Sequence, residues 1–129
     1  MLREITKDTH DQLAQLLATL GLDENQAKCF LTRFSGDNGI LMADLTEQNC
    51  LSYAIVDLLR ETPTITKVAG LSPETCMTII DACVEKLKDR WSDEVILLVE
   101  QDAGRLGQLL IQNGWEHDSP TTYRKVVNK

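Results

Sequence analysis

Residues 94 to 115 read EVILLVEQDAGRLGQLLIQNGW, and the change of period inside this stretch decides the fold class. Val95 to Val99 is an unbroken apolar run one strand long. Being apolar on both faces, it predicts an interior strand of a parallel or mixed sheet. From Asp102, which can cap, Ala103, Leu106, Leu109 and Leu110 return at helical spacing. Gly114 predicts a left-handed C-cap with Trp115 folding back beyond it, and Thr121 to Val127 reads as a last strand. Gly104 and Gly107 sit inside the helix, where each costs roughly 0.5 to 1 kcal/mol relative to Ala. Two reasons stay open: close approach of the helix to the sheet, or room beside it for a ligand or partner.

Upstream, Ser72 as N-cap, Pro73 at the first helical position and Glu74 in the first turn predict a second helix. Its apolar face is Cys76, Ile80, Cys83, Val84, Leu87 and Trp91, which fall within an arc of about 100°. Further out the period is that of strands. Ile40 to Thr46 and Cys50 to Val56 flank the polar trio Glu47, Gln48 and Asn49, predicting an antiparallel hairpin. A helix over Tyr53 to Arg60 is the competing reading. Thr64 to Ala69, after Pro63, is the next strand. Nearest the N-terminus, Leu2 to Ile5 can form a strand. Leu13, Leu16, Leu17 and Leu20 predict a helix over 8 to 20 stopped by Gly21. Asp23 and Gln26 form a capping-box pattern before the stripe Ala27, Phe30, Leu31 and Phe34.

The 129 residues, 43% apolar and 26% charged, suit one soluble α/β domain over 1 to 129. No repeat or linker divides it. Thirteen basic against twenty acidic residues give 13 − 20 = −7, a field that repels polyanions, so nucleic acid is not an expected partner. With no apolar run near the 18 to 20 residues of a membrane span, and no signal-peptide segment in MLREITKDTH, the expectation is a cytoplasmic protein away from membranes. Cys29, Cys50, Cys76 and Cys83 have no CxxC spacing and only His10 and His117 as imidazole company, which is no zinc pattern. They read as reduced, packed thiols. Cys76 and Cys83 would stand about 10.5 Å apart along a helix, beyond disulfide reach.

The order strand, two helices, hairpin, strand, helix, interior strand, helix, strand resembles the GNAT fold of acyl-CoA-dependent N-acyltransferases. EVILLVEQDAGRLGQLLIQNGW followed by TYRKVV is similar to that family's fifth strand, last helix and closing strand, and MLREITKDTHDQLAQLLATLG to its opening. The resemblance implies a mixed central sheet flanked by helices. It also implies a basic, glycine-rich turn after the fourth strand, where backbone amides cradle the CoA pyrophosphate. Here that junction reads VAGLSPETCMTII: after Gly70 there is neither glycine nor base, Ser72 and Pro73 start the helix directly and leave the pyrophosphate loop several residues short, and Glu74 repels a phosphate. Where many members carry a Tyr that protonates the departing thiolate, this chain has Leu110.

These departures lead to the expectation of no cofactor, no catalytic residue and no metal ligand. Residues 72 to 116 also resemble the C-terminal domain of ornithine decarboxylase antizyme, a GNAT-like fold that binds and inhibits another protein. The leading expectation is accordingly a regulatory domain that binds a protein, an inhibitor or adaptor whose partner carries a basic patch. Homodimerisation is open. The alternative is a small N-acetyltransferase with an atypical acetyl-CoA site, contacted through the backbone around Gly70, Leu71, Ser72 and Thr75. An acidic chaperone for a secreted effector is a further alternative. Tyr123 is the one acid the closing strand offers; Glu47, Asp57 and Glu61 are possible bases that no spacing supports.

Overall fold

A computed structural model describes residues 2–6, 18, 20–21, 23–33, 38–47, 49–88, 94–99 and 104–127. In chain order the described elements are β1 (Leu2–Ile5), α1 (Glu24–Arg33), β2 (Gly39–Leu45), β3 (Cys50–Asp57), β4 (Thr64–Gly70), α2 (Pro73–Lys88), β5 (Glu94–Leu98), α3 (Gly104–Gln112), β6 (Glu116–Ser119) and β7 (Thr122–Val126). The predicted helix over 8 to 20 lies almost wholly outside the described residues, as do Phe34, Trp91 and Asp102 and the side chains of Phe30 and Leu31. Its stop is seen: Gly21 has φ +90° and donates to the Ala18 carbonyl at 3.0 Å. The Asp23 cap of α1 also forms, Oδ1 accepting from the Gln26 amide at 2.8 Å.

The seven strands make one sheet in the order β1-β2-β3-β4-β5-β7-β6. Only β4 and β5 run parallel; every other pair is antiparallel. The hairpin reading of residues 40 to 56 is correct, with Leu41 opposite Ile55 and Ala43 opposite Tyr53. Thr46 and Asn49 close its turn through reciprocal hydrogen bonds. Tyr53 to Asp57 is strand, so the competing helix does not form.

On one sheet face α2 packs against β2, β3 and β4, and α3 packs against α2. The predicted stripe Cys76, Ile80, Cys83, Val84 and Leu87 is buried there, joined by Met77 and Ile79. Burial pushes the Cys83 thiol up to about 12 and the Cys50 thiol to about 11, so both stay protonated at neutral pH. The other face buries Ile5, Leu41, Ala43, Leu45 and Tyr53 beneath Ala27 of α1.

The end of α3 follows the predicted cap. Gly114 has φ +91°, the Trp115 amide donates to the Leu110 carbonyl at 3.0 Å, and the indole is buried. Gly107 is buried as well, which favours the close-packing reading of that glycine. The sequence reading missed β6. EHDS has no apolar alternation, and its pairing with β7 is supported by Arg124, which holds Asp118 of β6 at 3.0 Å and Glu94 of β5 at 2.9 Å.

Candidate functional site

The parallel pair β4 and β5 is joined at two register positions, Thr64 with Ile96 and Ile65 with Leu97. Beyond them the strands part. On its other side β4 pairs with β3 as far as Ser52 with Gly70. The cause lies at Thr66, an extra residue where the register against Ile55 and Val56 shifts. Such a bulge bends its strand and steepens its twist, here turning the end of β4 away from β5. The Thr66 hydroxyl donates to the Ile55 carbonyl at 3.4 Å, fixing the bulge to β3.

The parting leaves a backbone edge. The Leu71 amide donates to the Leu51 carbonyl at 3.0 Å, continuing the β3 ladder. By the alternation of an antiparallel strand, Ala69 and Leu71 therefore turn their amide and carbonyl groups toward β3, and Val68 and Gly70 turn theirs toward the opening.

Gly70, Leu71, Ser72 and Thr75, the residues named from sequence for an atypical cofactor site, all stand at the mouth of this opening. Two residues connect β4 to α2, so the turn is short, as the sequence implies. Gly70 packs tightly under the helix: a Cβ there would meet Thr75 Oγ1 at 2.7 Å and Cys76 Sγ at 2.8 Å. Leu71 is 65% exposed. Ser72 and Thr75 cap each other, the Thr75 amide donating to Ser72 Oγ at 3.2 Å and the Ser72 amide to Thr75 Oγ1 at 3.0 Å. The amides of Leu71, Ser72 and Thr75 are thus already engaged within the protein, and a phosphate would have to compete for them.

A base does reach this end, though not from the turn. Arg105, in the first turn of α3, sets Nε 3.7 Å from Glu74 Oε1, with both side chains more than half exposed. Sequence reasoning could not have found it, because the meeting depends on α3 packing against α2. Of the possible bases, Glu47 lies in the exposed β2–β3 turn at the same end of the sheet as Gly70. Asp57 and Glu61 lie at the opposite end, and Asp57 is committed to the Leu59 amide and Arg60. Leu110 is fully buried, and Tyr123 is 5% exposed, its ring stacked on His117 at 4.6 Å.

No protein-family model matches the sequence, and no curated protein matches it either. Solved structures do match. The fold is that of the GNAT N-acetyltransferases. PaiA N-acetyltransferase of Thermoplasma acidophilum, in complex with coenzyme A, aligns with TM-score 0.74 at 8% identity over 98% of each chain. The ribosomal-protein alanine N-acetyltransferase of Escherichia coli aligns with TM-score 0.76 at 8% identity, covering all of this chain and 94% of that one. A GNAT-family acetyltransferase of Staphylococcus aureus gives 0.72 at 12% identity over 99% of both. The likeness of residues 72 to 116 to antizyme stays a resemblance of pattern.

The expectation of no cofactor is corrected here, since the Thermoplasma structure that covers 98% of this chain holds coenzyme A. That expectation judged the GNAT-like site by its glycine turn alone. The open edge of β4 is made of backbone, which side-chain identities do not reveal.

Proposed function

We propose that this chain is a small acyl-CoA-dependent N-acetyltransferase whose cofactor site is atypical at its phosphate end. The observation that carries the reading is the edge of β4 left without β5 after Ile65. The arm of coenzyme A is an extended chain bearing two amides. An unpaired strand edge binds such a chain as it binds another strand, through alternating amide and carbonyl groups. Val68 and Gly70 would hold the arm in this way.

When bound, acyl-CoA supplies the acyl group as an activated thioester. The chain's own residues orient that group beside β4 and close one side of it with α2 and α3. At the phosphate end Arg105 supplies the positive charge that the turn lacks, while Glu74 opposes it. The Tyr123 hydroxyl is the protein's candidate proton donor, since Leu110 has none to give.

Acetyl-CoA at 100 times its Kd should raise the folding free energy by about 2.7 kcal/mol, read as a rise in Tm. An unchanged Tm at millimolar acetyl-CoA would overturn the reading. A second reading, in which the fold holds acyl-CoA and regulates a protein partner without turnover, is favoured by Leu110 at the usual acid position. Binding of acetyl-CoA with no acetyl transfer to any amine, and so no thiol released, would select it.

A further inference from the structure

On the sheet face away from α2, the open edge of β4 carries one cation, Lys67. Its register partner is Ile55, and its Nζ lies 5.9 Å from the centre of the Tyr53 ring, within cation–π range. Tyr53 is fully buried, so the ring is a fixed support beneath a side chain that is itself exposed. Carboxylates seen paired with basic groups lie elsewhere, among them Glu4 with Lys86, Asp57 with Arg60, Glu74 with Arg105, and Glu94 and Asp118 with Arg124.

The side on which Lys67 stands matters. The helices α2 and α3 cover the opposite face, and on this one α1 lies over the cluster that contains Tyr53 while Lys67 stays exposed, so an amine reaching an acyl group held along β4 from this face comes in past Lys67. In a chain of net charge −7 the general field favours cationic amines, and a cation with no carboxylate partner among the described residues, standing beside the reacting edge, reverses that preference locally. We propose, resting on the acetyltransferase reading, that Lys67 selects acceptors that carry a carboxylate near the amine, by pairing with that carboxylate while the amine faces the β4 edge. A charge-assisted contact of this kind discriminates strongly against the uncharged amide analogue.

The test compares acceptors matched in size and amine but differing in their single carboxylate, the α-amide of glutamate with that of glutamine and the α-amide of aspartate with that of asparagine, by thiol release from acetyl-CoA. The wild-type protein should favour the carboxylate member about tenfold or more in kcat/KM, mainly through KM. Lys67→Gln should equalise each pair and Lys67→Glu should invert it. Both variants should keep the wild-type affinity for acetyl-CoA measured separately by calorimetry. Lys67 is exposed, so neither change should disturb folding. Bound acetyl-CoA with no preference in the wild-type protein, with no transfer to either carboxylate acceptor, or with a preference that survives Lys67→Gln overturns the inference alone. Failure of acetyl-CoA to bind at all overturns the acetyltransferase reading beneath it.

Discussion

The two edges of β4 differ as much as any two regions of the molecule. Toward β3 the strand is paired from Asp57 with Thr64 to Ser52 with Gly70, and the face above that ladder is sealed by the buried residues of α2. Toward β5 it is paired at two positions and then, among the described residues, stands open. One bulged residue, Thr66, separates the two behaviours: the β3 ladder continues past it, and the pairing with β5 ends just before it. The buried face of α2 lies over the closed side, and the backbone groups of β4 that pair with no described strand are on the open side.

This contrast makes the closed side the place where substitutions should cost most. Ile80 is fully buried under α2, and Ile80→Ala should lower the unfolding free energy by about 2 to 5 kcal/mol, measured by urea denaturation. A loss below 1 kcal/mol would mean that α2 is not seated on the sheet as described. Gly70 belongs to both sides. Gly70→Ala pushes a methyl group toward Thr75 Oγ1, Cys76 Sγ and the Cys76 amide nitrogen at 3.1 Å, and should cost about 1 to 3 kcal/mol. Since it also shifts the strand end that faces the opening, it should weaken acetyl-CoA binding, which Ile80→Val should leave alone. Ser72→Ala removes the cap accepted from Thr75 and should cost about 1 kcal/mol.

A pH dependence appears only in the alkaline range. The folded Cys83 thiol ionises at about 12 against an ordinary 9.0, with desolvation the dominant cause and Lys86 opposing it. The unfolded chain therefore loses this proton first as pH rises. The associated stability is complete below pH 9 and is lost between pH 9 and 12. Cys83→Ala should flatten that alkaline slope in denaturation curves collected across the range, even though it lowers stability overall. Thiol labelling at pH 8 gives the same contrast in kinetic form, with exposed Cys29 reacting quickly and Cys50, Cys76 and Cys83 slowly.

Much of the closed side was legible in the sequence, because local chemistry specifies it. The polar trio 47 to 49 set the hairpin, Asp23 and Ser72 placed helix starts, and Gly114 placed the end of α3. The open side was not legible in the same way. A bulge at Thr66 leaves no mark in hydrophobic alternation. The amide groups of Val68 and Gly70 are common to all residues, and which edge they face follows from pairing with Leu51. Arg105 and Lys67 are ordinary surface residues until α3 packs on α2 and β4 lies beside Tyr53. Leu110 was readable as part of the apolar stripe of α3, and the structure buries it. Inferring from the missing glycine turn and Glu74 that the fold carries no cofactor was the step that failed, because that turn is one part of the site and the backbone edge of β4 is another.

The central claim is that the open edge of β4 is the binding edge, and calorimetric titration with acetyl-CoA followed by backbone amide NMR tests it most directly. The account predicts a Kd in the micromolar range, with the largest amide shifts at Val68 and Gly70 and little change at Ile79 and Ile80 on the closed side. Absence of heat and of shifts at millimolar acetyl-CoA, or shifts confined to residues away from β4, would contradict it.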